Sequence, residues 1–273
     1  MVSAPPACPP LFQVLRGLGI QSSRPGEFAV ATIGGEVVQL KTGAVGMSEY
    51  QYYEFLALDR PLTQAQREEL RSISSRAEIT ANEFISEYQW GELAGDPREM
   101  MERYFDAFMY WANFGTRQLM FRLPREALAG EAVRPFVSTE AFSVIETGSY
   151  VILSFQADRD PDGWEDEEPE GELAEMAQVR SELAAGDRRL LYLGWLLAVQ
   201  TDFSEVDDED VEPPVPAGLE DLSASLQAIV DFLGIDEDLV AVAAEGAPTA
   251  GRTAAELWRA ASERGAVREK AGK

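Results

Sequence analysis

Strand signals stop at Phe155, and the patterned segments after it are all helical. That break constrains the fold more than any motif does, because strands alternating with helices, followed by helices alone, point to an α+β architecture. Tyr50–Leu58 (YQYYEFLAL) is rich in aromatic residues, partly alternates, and is broken by Asp59-Arg60-Pro61, so it predicts a strand. Thr63 with Gln66 three residues on forms a capping box, which predicts a helix to about Ser74. Part of the stretch from Ala77 to Trp90 has strand character.

Asp96-Pro97-Arg98-Glu99 is the strongest start signal in the chain, with an N-cap Asp before a Pro at the first helical position. Met100, Met101, Tyr104, Phe105, Phe108, Met109 and Trp111 follow at spacings of three and four, so a mostly buried helix is predicted over 97–112, stopped near Gly115. Arg117–Leu123 alternates and predicts a strand, and Pro124–Val133 a short helix. Ala141–Ile145 and Tyr150–Phe155 flank Glu146-Thr147-Gly148-Ser149 as a hairpin. Helices are predicted over Leu173–Ala185, Asp187–Gln200, Leu219–Leu233, Leu239–Ala244 and Thr253–Arg264. The expectation is α+β: a mixed sheet of about four or five strands with helices in the N-terminal half, followed by a helical C-terminal half.

Residues 1–46 read differently from the rest. Pro5, Pro6, Pro9 and Pro10 crowd the start, seven glycines interrupt any pattern, and only Glu36–Leu40 has strand character. The segment is expected to be disordered, or to be an upstream extension of a chain whose native start is Met47. The expected organisation is then an α+β domain over 47–157, an acidic linker over 158–172, a helical region over 173–265 and a basic tail over 266–273.

Side-chain chemistry is narrow. There is no His, Cys8 is the only Cys, and from Thr42 through Glu269 there is no Lys. Imidazole general bases, His-ligated metals, thiolate clusters, internal disulfides, Schiff bases and P-loop lysines are therefore excluded from that stretch. Carboxylates, Arg, Tyr, hydroxyls and amides remain. With 45% hydrophobic residues the chain can bury a substantial core. Its formal charge of −25 is uneven: residues 158–273 hold 29 acidic and 10 basic groups. Such an excess opposes direct contact with nucleic acid or an anionic membrane. No run of apolar residues is long enough to span a bilayer, and the N-terminus lacks a basic stretch before its short apolar run, so a cytoplasmic location is expected. Arg outnumbers Lys 20 to 3, which together with abundant Ala and Gly reads as the codon bias of a GC-rich bacterial genome.

Three constellations are candidates for chemistry. Asp158, Asp160 and Asp162, followed by Gly163, match the opening of an EF-hand loop, but Pro169 stands where the bidentate Glu belongs and a strand precedes the loop. A calcium loop of another kind competes there with a plain acidic connector. Glu99, Glu102 and Asp106 share a face if the 97–112 helix is continuous, which suits Mg²⁺ or acid/base work; a solvated face paired with Arg98 and Arg103 is the plainer reading. Trp90, Trp111, Arg117 and Arg122, with Tyr88 and Phe114, would line a ligand groove between helix and sheet, although aromatics at helical spacing also build cores.

The segments YQYYEFLALDRPLT, EYQWGELAGDP, YFDAFMYWANFGTRQLMFRLP and YLGWLLAVQ together resemble a family of bacterial proteins without an assigned activity. The resemblance runs from about Met47 to Ala244 and implies a protein partner more than an isolated enzyme. Function is accordingly expected to be that of a non-catalytic interaction or accessory protein of a bacterial multi-protein system, with no cofactor and a partner of basic character. The alternatives are a carboxylate-based, divalent-metal-dependent hydrolase or nuclease using Mg²⁺, and a Ca²⁺-responsive binding protein.

Overall fold

The computed structural model describes residues 29–33, 36–40, 49–128, 130–137, 141–158, 171–201, 209–246 and 251–271. The chain divides into two compact units, Met1–Ser48 and Glu49–Lys273. In the first, β1 (Ala29–Ile33) and β2 (Glu36–Leu40) pair antiparallel as a hairpin, with Ala29 opposite Leu40 and Ile33 opposite Glu36. β2 coincides with the one strand expected there.

The second unit is built on a sheet of seven strands among the described residues: β3 (Gln51–Leu56), β4 (Glu78–Ile79), β5 (Glu83–Tyr88), β6 (Ala107–Ala112), β7 (Thr116–Pro124), β8 (Phe142–Glu146) and β9 (Tyr150–Asp158). Their order is β4-β5-β3-β6-β7-β9-β8, and every neighbouring pair is antiparallel. The α+β class therefore holds, while the strand count, the mixed direction and the order of elements are corrected.

The main correction falls at 97–112. α2 (Pro97–Arg103) starts as the sequence predicts, with Asp96 accepting from the Arg98 amide, but it ends at Arg103 and the chain turns into β6. β6 lies inside the sheet with both faces covered, so five of its six residues are buried. A strand covered on both sides loses its polar alternation and cannot be told from a buried helix by periodicity.

Alternation along the strands divides the apolar residues between two faces. Tyr52, Leu56, Met109, Trp111, Leu119, Phe121, Leu153 and Phe155 belong to one core cluster; Tyr53, Phe55, Phe84, Phe108, Met120 and Ile152 belong to the other. The second face is covered by α2 and α1 (Gln64–Ile73), through Leu70, Met100 and Met101. α1 keeps the predicted capping box, Thr63 and Gln66 each accepting from the other's backbone amide.

α3 (Gly130–Val133) is a single turn. The first face is covered by α4 (Leu173–Met176), α5 (Val179–Ala184), α6 (Arg189–Gln200) and α7 (Ala224–Leu233). α8 (Glu237–Ala244) and α9 (Ala254–Ala271) pack on each other and reach α6 from outside. The helical half is thus not a separate unit; it completes the core of the sheet. α6 is buried continuously from Leu190 to Ala198. Gly194 lets its backbone press on the sheet, because a Cβ there would come within 2.8 Å of Phe142 and 2.7 Å of Phe155. Those two rings stack 4.6 Å apart at 7°. Among the described residues no helix is long and apolar enough to cross a membrane.

Candidate functional site

Asp106, on the predicted metal face, is 1% exposed and sits at the sheet end where β6 begins. Its Oδ2 accepts from the backbone amides of Leu58 and Asp59, and its Oδ1 from Nε and Nη2 of Arg122 at 3.2 and 2.7 Å. Arg122 also donates to the Glu102 carbonyl and lies over the Tyr150 ring. Arg180, on α5, donates to the Arg122 carbonyl and pairs with Asp59 at 2.9 Å. The cluster ties the helical half to the sheet end. Because α2 stops at Arg103, Glu99 and Glu102 remain exposed on that helix, Glu102 pairing with Arg98 at 3.2 Å, while Asp106 turns inward. The three carboxylates do not converge, and among the described residues no group of three or more metal-ligating side chains forms.

A second buried cluster had no sequence signal. Glu212 accepts from Arg252 Nε and Nη2 at 3.0 and 2.7 Å and from the Tyr192 hydroxyl, while Arg252 also donates to the Val242 carbonyl. Burial, then the Glu212 hydrogen bond, pushes the Tyr192 hydroxyl well above its ordinary range. Glu212 and Arg252 also share a backbone hydrogen bond beside the Val211–Thr253 bridge, so this cluster fastens the start of α9 to the loop before α7.

Of the four predicted binding residues, Trp111 and Arg117 stay together, while Arg122 and Trp90 lie apart from them. Trp111 and Arg117 pair across β6 and β7, and the buried guanidinium lies 4.6 Å over the Trp111 ring while donating to the Ala112 and Thr116 carbonyls. Burial lowers the Arg117 pKa to about 10, which still leaves it charged at neutral pH. Arg122 lies near the other end of β7 and, by alternation, on the other face. Trp90 follows β5 and is 73% exposed. Of the calcium candidates, Asp158 ends β9 and is exposed; Asp160 and Asp162 lie outside the described residues.

What the sequence did not single out is an open cleft of about 480 Å³ on the outer side of the helical half. Its floor includes Leu219, Leu222, Val230, Val240, Ala241 and Ala244, from the turn before α7, from α7 and from α8. Its rim carries Glu220, Glu237 and Glu245, with Arg264 of α9. α7 is capped by Ser223 and α8 by Asp236, which accepts from the Asp238 and Leu239 amides, so the two helices are held on either side of Gly234.

No protein-family model, curated protein or solved structure matches this chain.

Two carboxylates contribute to the acid sensitivity of the fold. Burial alone would raise Asp59 and Asp187, but the hydrogen bonds they accept and the nearby positive charge, chiefly from Arg180 at Asp59 and from Arg189 at Asp187, together outweigh it and hold both below the ordinary carboxylate range. A lowered folded-state pKa adds stability above the unfolded value and loses it as pH falls through the folded one. With no His in the chain, no side chain has an ordinary pKa between about 5 and 8. Stability is expected to be flat across that window and to fall below about pH 4. Arg189→Met should shrink the fall by removing the donor that depresses Asp187. Denaturant midpoints measured against pH check both; a transition near pH 6.5 would contradict them.

Proposed function

We propose that this chain is a non-catalytic interaction protein, an accessory subunit of a bacterial cytoplasmic system, that engages a basic protein partner through its acidic helical half. The observation that carries this reading is the distribution of charge on that half. Residues 158–273 hold 29 acidic against 10 basic groups, and Glu220, Asp221, Asp231, Glu237 and Glu245 all stand exposed around α7 and α8. In the buried pairs Asp106–Arg122 and Glu212–Arg252 the charges cancel, so the surface excess is what a partner meets. Charge of one sign steers an oppositely charged partner and raises the rate of encounter, at the cost of salt sensitivity.

The test is affinity capture by the tagged full chain from its native host at two ionic strengths. A stoichiometric basic partner should be retained at about 0.05 M salt and released near 0.5 M, where the screening length falls below about 5 Å. Retention of the same partner at both strengths would refute the electrostatic mechanism, and recovery of none at either would refute the reading.

A further inference from the structure

We infer that the cleft between α7, α8 and α9 is the docking site for an amphipathic basic helix of the partner; this rests on the interaction reading above and locates it.

Three features of the cleft select that occupant. The first is its two-part chemistry. Val230, Val240, Ala241 and Ala244 form an apolar floor on two helices, and carboxylates stand above it at the rim. A helix with apolar residues at i, i+3, i+4 and i+7 lays one stripe into such a floor and leaves its flanks at rim height. The second is the sign of the rim. Glu220, Glu237 and Glu245 face a single Arg264, which is already engaged by Glu245 at 2.8 Å and Asp238 at 3.5 Å. Arg268 is likewise held between Glu237 and Asp238, at 3.5 and 3.4 Å. Among the described residues no cation lies within ion-pair distance of Glu220, so a Lys or Arg flank would meet an unengaged carboxylate there. The third is openness. A small ligand is held by enclosure, with about 70–90% of its surface buried. This cleft is open to solvent along one side, which suits a segment that remains part of a larger body.

The test uses the full chain and a labelled synthetic peptide with Leu at the i, i+3, i+4 and i+7 positions and Lys elsewhere, measured by fluorescence anisotropy at low salt. Its controls are a peptide of the same residues in scrambled order and one with Glu in place of Lys. The patterned basic peptide should bind at least about tenfold more tightly than either control. The double variant Ala241→Arg/Ala244→Arg fills the apolar floor and adds two positive charges to it, and should lower affinity by about tenfold or more, with an unchanged thermal midpoint. Should that variant fail to fold, Glu220→Gln/Glu237→Gln changes only exposed rim groups and should still weaken binding several-fold.

Equal binding of patterned and scrambled peptides, or of variant and parent protein, would overturn the cleft while leaving an acidic surface that attracts basic chains. Binding of no basic peptide even at low salt would overturn both. A dimer of the parent that the double variant dissolves would show a second copy in the cleft, and would overturn the basic-helix assignment.

Discussion

Replacing Arg122 by Met is expected to cost about 3–5 kcal/mol, because it leaves the Asp106 carboxylate buried without its counter-charge. The pair is 2.7 Å apart, and its side chains are 5% and 2% exposed. Arg180 stands 3.8 Å from Asp106 and offsets part of the loss. Asp106 also receives the Leu58 and Asp59 amides, so Asp106→Asn, which keeps an acceptor there, is the suitable partner change. The double variant Asp106→Asn/Arg122→Met should be more stable than Arg122→Met alone, since no uncompensated charge remains. Denaturant unfolding of the four proteins measures the coupling. Additive losses would show that the two groups act independently, against the hydrogen-bonded geometry.

Gly194→Leu is expected to cost about 3 kcal/mol or more, the upper range for inserting bulk into a filled core. The sign is the informative part. A glycine inside a helix ordinarily costs about 1 kcal/mol relative to alanine, so the smaller change Gly194→Ala would be stabilising in an exposed helix. Here the added Cβ meets two stacked rings at 2.7 and 2.8 Å, and those rings lie fully buried on β8 and β9. Gly194→Ala should therefore also destabilise, by about 1–3 kcal/mol. Thermal unfolding of both variants decides it; a stabilised Gly194→Ala would mean that α6 can lift from the sheet at little cost.

Much of the fold was legible because its signals are local. The boxes and caps at Thr63 and Asp96 act through atoms within a few residues, so sequence reading found them. The hairpin of β8 and β9 follows from its turn, where Thr147 and Tyr150 exchange hydrogen bonds. β6 was not legible, since its identity depends on β3 and β7 lying on either side. The placement of the candidate site residues was not legible for the same reason. Arg117 and Arg122 are five residues apart on one strand, which places them on opposite faces, so one serves as a lid on Trp111 and the other as a counter-ion for Asp106. The cleft could not be read at all from sequence, because its floor comes from two helices and a turn, and its rim also from a third.

The layering also sets an order in time. A chain is made from its N-terminus, and the seven-stranded sheet is complete once Asp158 has left the ribosome. At that moment α1 and α2 already exist to cover one face, but the face bearing Met109, Trp111, Phe121 and Phe155 has no cover, because α4 to α7 lie between Leu173 and Leu233. For the time needed to add roughly 75 residues, some 4–15 s at ordinary elongation rates, a broad apolar surface waits in water. A half-made molecule of this kind is a natural client for chaperones, and a protein cut after Asp158 would carry that exposure permanently.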